Sequence, residues 1–211
     1  PTTQTLEERL ASIEGGVAAL AVASGSSAVA LSIQNVASAG DNIVASPHLY
    51  GGTYNLFTNT LKEMGIEVRF ADPDEPESFR ALSDDKTRAY FGETLPNPKL
   101  VPFPIEEVAS IGRELGIPLI VDNTAAPITC RPFDFGATIV VHSLTKYIGG
   151  HGTSIGGVII DSGTFDWVAN PDQQPHFNKP DSSYHGAIWG ELVPEALGAP
   201  IAYAVRARVV L

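Results

Sequence analysis

Short apolar runs recur along this chain at 19–23, 42–45, 67–70, 88–91, 118–122, 138–142 and 157–160, and stretches of helical period separate most of them. This alternation constrains the fold more than any other feature. Parallel strands need a crossover of about a dozen residues or more, and a helix fills that span. Thr5 and Glu8 form a capping box ahead of Leu6, Leu10 and Ile13, with Gly15-Gly16 as the stop. Further helices are predicted near 26–37 before Gly40, from about Thr53 to Met64 before Gly65, over Glu75–Leu82, and over Ile105–Leu115 before Gly116. The expected architecture is α/β, a mostly parallel sheet with helices on both faces. The stretch between Lys146 and Gly157 is too short for a helical crossover, so the strand at 157–160 is expected to run antiparallel to its neighbour. Asn170 to Ser183 is polar and proline-bearing and reads as a long loop. Ile201, Ala204, Val205 and Val209 repeat at helical spacing.

Ligands of such sheets bind beyond the carboxyl ends of the strands, and three of those ends carry unusual chemistry. The apolar run Ala137 to Val141 leads into His142-Ser143-Leu144-Thr145-Lys146-Tyr147 and then a glycine cluster, Gly149, Gly150 and Gly152. The hydroxyls of Ser143 and Thr145 can donate to a phosphate, the Lys146 amine can condense with an aldehyde, and glycines let backbone pass close to a bulky ligand. A lysine beside a flexible loop is usually just solvated, so the other two ends decide the reading. The strand at 118–122 closes on Asp122, placed to pair with a protonated pyridine nitrogen. The strand at 19–23 leads through Ser24, Gly25 and Ser26 into a helix, whose free N–H groups and positive dipole end suit a phosphate. A helix start alone explains Gly25 and Ser26 equally well. Phosphate, aldehyde and pyridine nitrogen together describe one cofactor, pyridoxal 5'-phosphate (PLP), with Lys146 as its anchoring amine.

On the strand-end aspartate, the Ser-Leu-Thr-Lys run and the glycines after it, the chain resembles the Cys/Met-metabolism family of PLP-dependent enzymes, of aminotransferase fold type I. The resemblance runs from Pro1-Thr2 to about Leu211. Within the family it is most similar to the O-acetylhomoserine sulfhydrylases, on Tyr50-Gly51-Gly52-Thr53, on Gly150 to Gly157, and on Ser183-Tyr184-His185-Gly186. The resemblance implies the large PLP-binding domain of that fold. It also implies that Tyr50 stacks on the pyridine ring and that Thr124 lies beside it. Glu93-Thr94-Leu95-Pro96-Asn97-Pro98 reads by itself as turn chemistry; the resemblance carries Asn97 to the cofactor's phenolic oxygen. The implied activity is γ-replacement on O-acetyl-L-homoserine with sulfide or a small thiol, giving homocysteine or methionine and acetate, in methionine biosynthesis. Methionine γ-lyase or cystathionine γ-synthase or lyase chemistry, or a PLP-binding but inactive fragment, are the alternatives.

Set against the family, 1–211 reads as a fragment, the large domain with an N-terminal arm and a C-terminal domain outside it. The resemblance implies a homotetramer built as a dimer of dimers, with part of the phosphate site coming from a neighbouring subunit. A net charge of -11 leaves no basic stripe for a nucleic-acid backbone. No apolar run is long enough to cross a bilayer. The lone cysteine, Cys130, excludes an internal disulfide, fits a cytoplasmic setting and is expected to serve packing. The five histidines have no metal-ligand spacing, so no metal site is expected, and His142 is read as a satisfied strand-end residue. Gly150-x-Gly152-x-x-x-Gly156 has the wrong spacing for a dinucleotide fingerprint and leads to a strand.

Overall fold

The computed structural model describes residues 2–211. Its sheet has seven strands in the order β1-β7-β6-β5-β4-β2-β3. These are β1 (Ala18–Val22), β2 (Asn42–Ala45), β3 (Glu67–Phe70), β4 (Thr87–Glu93), β5 (Leu119–Asp122), β6 (Ile139–Ser143) and β7 (Gly157–Asp161). Strand β7 runs antiparallel to both β1 and β6, and every other neighbouring pair is parallel. The short Lys146–Gly157 connection therefore has the consequence expected of it.

The parallel strands are buried on both faces, and adjacent side chains enter different cores. Ile120 packs with Phe91, Val141, Ile33 and Phe57 on one face, whereas Leu119 and Val121 pack with Tyr90, Phe79 and Val108 on the other. Helix α2 (Gly25–Gln34) covers the first face, and α6 (Ile105–Leu115) covers the second. Gly116 ends α6 in the left-handed conformation, φ 70°, where a side chain would be strained.

Four boundaries depart from the sequence reading. Helix α1 spans Thr2–Glu14, so Thr5 lies inside it rather than at its cap, and Glu8 accepts a hydrogen bond from Gln4 at 2.9 Å. Helix α2 stops at Gln34 because Asn35 turns to partners across the fold, donating to the Tyr203 carbonyl at 3.0 Å. The predicted 53–64 helix begins at Gly51 and consists of α3 (Gly51–Asn55), a π-helical turn (Leu56–Thr60) and α4 (Leu61–Glu63). Helix α5 spans only Glu77–Ala81.

The expected long loop at 170–183 is instead partly built. Helix α7 (Pro175–Asn178) buries Phe177 against Trp167, and the buried Gln174 amide donates to the carbonyls of Arg88 and Gly116. Polar composition masked this, because its amides pair with distant backbone rather than with solvent. Helix α8 (Trp189–Leu197), which the sequence reading does not include, and α9 (Ala202–Val210) follow.

Candidate active site

The carboxyl ends of β1, β6, β5 and β4 bring the singled-out residues to one edge of the sheet. Strand pairing explains how. Val22 and Ser143 both lie opposite Gly157 across the antiparallel β7, while Asp122 pairs with Val141 and with Glu93. Gly157 is required at the crossing: a Cβ there would stand 2.0 Å from the Ser24 carbonyl oxygen. A Cβ on Gly25 would stand 2.5 Å from Cβ of Ser143. The first turn of α2 is thus pressed onto the end of β6, a closeness that only glycine permits.

Ser24 caps α2, its Oγ accepting the Ser27 N–H at 3.0 Å. The N–H groups of Gly25 and Ser26 precede the first intrahelical bonds and have no acceptor within the helix. Beside them, the Ser143 hydroxyl makes no hydrogen bond among the described residues, while its N–H donates to Thr124 Oγ1 at 2.8 Å. Thr145 is committed differently: its hydroxyl accepts the Gly156 N–H at 3.2 Å and donates to the Gly156 carbonyl at 3.4 Å. Thr145 therefore ties the glycine loop back to the strand end. Lys146 is exposed, and its amine has no partner among the described residues. Its backbone closes a turn through Lys146 N–H to Ser143 O (3.2 Å) and Gly150 N–H to Lys146 O (2.9 Å).

Asp122 lies between these groups and β4. Thr124 N–H donates to its Oδ1 at 2.9 Å. Burial pushes the Asp122 carboxyl upward, against the hydrogen bonds from Thr124 and the influence of His142. No lysine or arginine forms an ion pair with it among the described residues. A desolvated carboxyl without a cation partner suits a protonated ring nitrogen. The uncommitted amides at Gly25 and Ser26, the free Ser143 hydroxyl and the free Lys146 amine complete a donor set that fits a phosphorylated pyridine aldehyde.

Tyr50 and Asn97 both stand at the surface near this edge, Tyr50 with 49% of its area exposed. What holds the Tyr50 backbone is Glu93, which the sequence reads as turn chemistry. Only 6% exposed, it accepts the Tyr50 N–H at 2.7 Å. Burial, and then the neighbouring Asp122, push its carboxyl to about 8. Nothing local in the sequence signals this, since the acceptor and the donor are 43 residues apart.

A second buried group lies behind the strand end. Glu14, the last residue of α1, meets His142 Nε2 at 2.6 Å and accepts from Asn123 Nδ2 at 3.2 Å. The reading of His142 as a satisfied strand-end residue holds for one ring nitrogen; its Nδ1 is buried without a partner. Among the described residues no cluster of three or more His, Cys, Asp or Glu side chains could hold a metal ion, and no helix is long and apolar enough to cross a membrane.

Comparison with known proteins converges on the same assignment. The chain is 51% identical to an O-acetyl-L-homoserine sulfhydrylase of Leptospira meyeri, over 99% of this chain and 48% of the relative. It is 49% identical to a homocysteine/cysteine synthase of Saccharomyces cerevisiae, over 100% of this chain and 47% of that one. The chain thus spans about half the length of the curated relatives it matches. Among solved structures, it superposes with a TM-score of 0.92 and 38% identity on a putative O-acetylhomoserine (thiol)-lyase of Campylobacter jejuni, which contains N'-pyridoxyl-lysine-5'-monophosphate. That match covers 100% of this chain and 51% of the other. Residues 1–191 match the model of the Cys/Met metabolism PLP-dependent enzymes, and the chain belongs to that family.

Proposed function

We propose that the protein of which this chain is part binds PLP at the sheet edge and catalyses γ-replacement on O-acetyl-L-homoserine. The observation that carries the reading is the Gly25–Ser143 contact, which sets the free amides of α2 over the strand that leads to Lys146. The Gly25 and Ser26 N–H groups and the Ser143 hydroxyl hold the phosphate, and Thr145 contributes mainly by pinning the Gly156 loop. Lys146 is the anchoring amine, Asp122 keeps the ring nitrogen protonated, and Tyr50 covers one ring face. Asn97 faces the phenolic oxygen, and Thr124 lies beside the ring while holding both Asp122 and Ser143 in place.

When bound, PLP supplies an electron-poor ring that stabilises negative charge at the substrate's Cα. Lys146 carries the proton traffic: its amine takes the Cα proton, then serves at Cβ, as the one base the motifs place there. In the net reaction the Cγ–O bond breaks with loss of acetate, and a Cγ–S bond forms to sulfide or a small thiol. Asp122 works by pairing with the ring nitrogen, and the Thr124 N–H holds its carboxyl in place.

In this reading residues 1–211 form the large cofactor-binding domain, and the remainder of the protein supplies an N-terminal arm and a C-terminal domain. Support comes from relatives about twice the length of this chain. The working form is a homotetramer, a dimer of dimers, in the cytoplasm. Ile128 (75% exposed), Tyr147 (70%) and Ile155 (76%), on the loops that follow β5 and β6, support burial of this face against another surface.

Borohydride reduction of the protein loaded with PLP, followed by peptide mapping, should place the label on Lys146. A label on Lys62, Lys86, Lys99 or Lys179 refutes the site. Product analysis with and without sulfide separates replacement, which yields homocysteine, from elimination.

A further inference from the structure

We infer that Glu93 is a positioning residue, one buried carboxyl that clamps the outer cofactor contact Tyr50 to the strand ends by its backbone. The inference rests on the cofactor reading above. Its geometric basis lies in this chain: Glu93 is the last residue of β4, directly opposite Asp122 in the parallel register, and only 6% exposed. Tyr50 begins helix α3 without any side-chain cap, so its N–H is one of the orphan donors of a helix start. The Glu93 Oε1 satisfies it from another strand, at 2.7 Å.

The charges around Glu93 determine its protonation state. Asp122 faces it from β5 and opposes a second negative charge. His48 and Asp74 line a small cleft that Glu93 also lines, and Lys99 Nζ lies 2.8 Å from His48 Nε2. Burial, and then Asp122, push Glu93 to about 8, so the group is largely neutral at pH 7. A neutral Glu93 still accepts the Tyr50 N–H through its carbonyl oxygen. Its role is then acceptor geometry rather than charge.

This separates three variants of the full-length protein. Glu93→Gln keeps the length and an acceptor without an ionisable group. Glu93→Asp keeps a carboxyl but is one methylene too short to reach the Tyr50 N–H, and Glu93→Ala removes the acceptor. Hydrogen exchange of the Tyr50 amide, measured without cofactor, should quicken at least about tenfold in Glu93→Ala and Glu93→Asp, and stay within about twofold of native in Glu93→Gln. PLP affinity should follow the same pattern. Unchanged exchange in Glu93→Asp and Glu93→Ala overturns the inference, as does a Glu93→Gln protein that behaves like Glu93→Asp. If exchange responds as stated but native Lys146 takes no label, the anchoring stands and the cofactor assignment falls.

Discussion

Gly25→Ala tests whether the phosphate is held by the first turn of α2. An added methyl would stand 2.5 Å from Ser143 Cβ and 2.9 Å from both its Cα and its Oγ. Carbon atoms rest at about 3.5–4.0 Å, so helix and strand must part by roughly 1 Å. Overpacking of this kind costs about 1–3 kcal/mol, and the better helix propensity of alanine offsets up to about 1 kcal/mol of it. Stability alone is therefore a poor readout. Affinity is a sharper one, because a donor displaced by about 1 Å from an ideal 2.9 Å leaves hydrogen-bonding range. A hydrogen bond to a charged oxygen contributes about 1.5–3 kcal/mol, so losing one weakens binding at least about tenfold. Absorbance titrations with PLP and with pyridoxal, which lacks the phosphate, isolate that contribution. The variant should lose at least about tenfold for PLP and change by no more than about twofold for pyridoxal. Undiminished PLP affinity, or equal losses for both ligands, would refute the placement of the phosphate.

Asp122→Asn should keep the Thr124 N–H bond and bind PLP within a few-fold of native, yet lose turnover by on the order of 100-fold, because an amide cannot hold the ring nitrogen protonated; near-native kinetics would remove that role from Asp122. A different expectation concerns stability. Asp161, 1% exposed, accepts the N–H groups of Gly163 (2.9 Å) and Ala204 (3.3 Å), and burial pushes it from the ordinary 3.8 to about 7. Its folded pKa exceeds the unfolded one, so its contribution is complete below about pH 4 and is lost as pH rises through about 7. Denaturation at pH 5 and pH 8 should show Asp161→Asn flattening the alkaline loss by about 3 kcal/mol; parallel native and variant curves would contradict the assignment.

The α/β class and the place of every strand could be read from the sequence, because apolar runs of strand length and helical repeats are local patterns set by backbone periodicity. The same holds for Gly25, Asp122, Ser143 and Lys146. Each lies within a few residues of a strand end, and the topology of a parallel sheet puts such ends together. Helix boundaries were less legible: α2 ends at Gln34 because Asn35 pairs with the distant Tyr203, a competition that no window around residue 35 contains. Composition likewise hid α7, since the buried Gln174 looks polar until the Arg88 and Gly116 carbonyls it serves are seen. The motif reads Thr145 as a phosphate donor, and only the structure adds that its hydroxyl pairs with the Gly156 backbone. Glu14 and Glu93 were decided by tertiary structure alone. Their partners are 128 and 43 residues away, and a carboxyl's role depends on what desolvates it and which donors reach it, neither of which is a property of its neighbours in the chain.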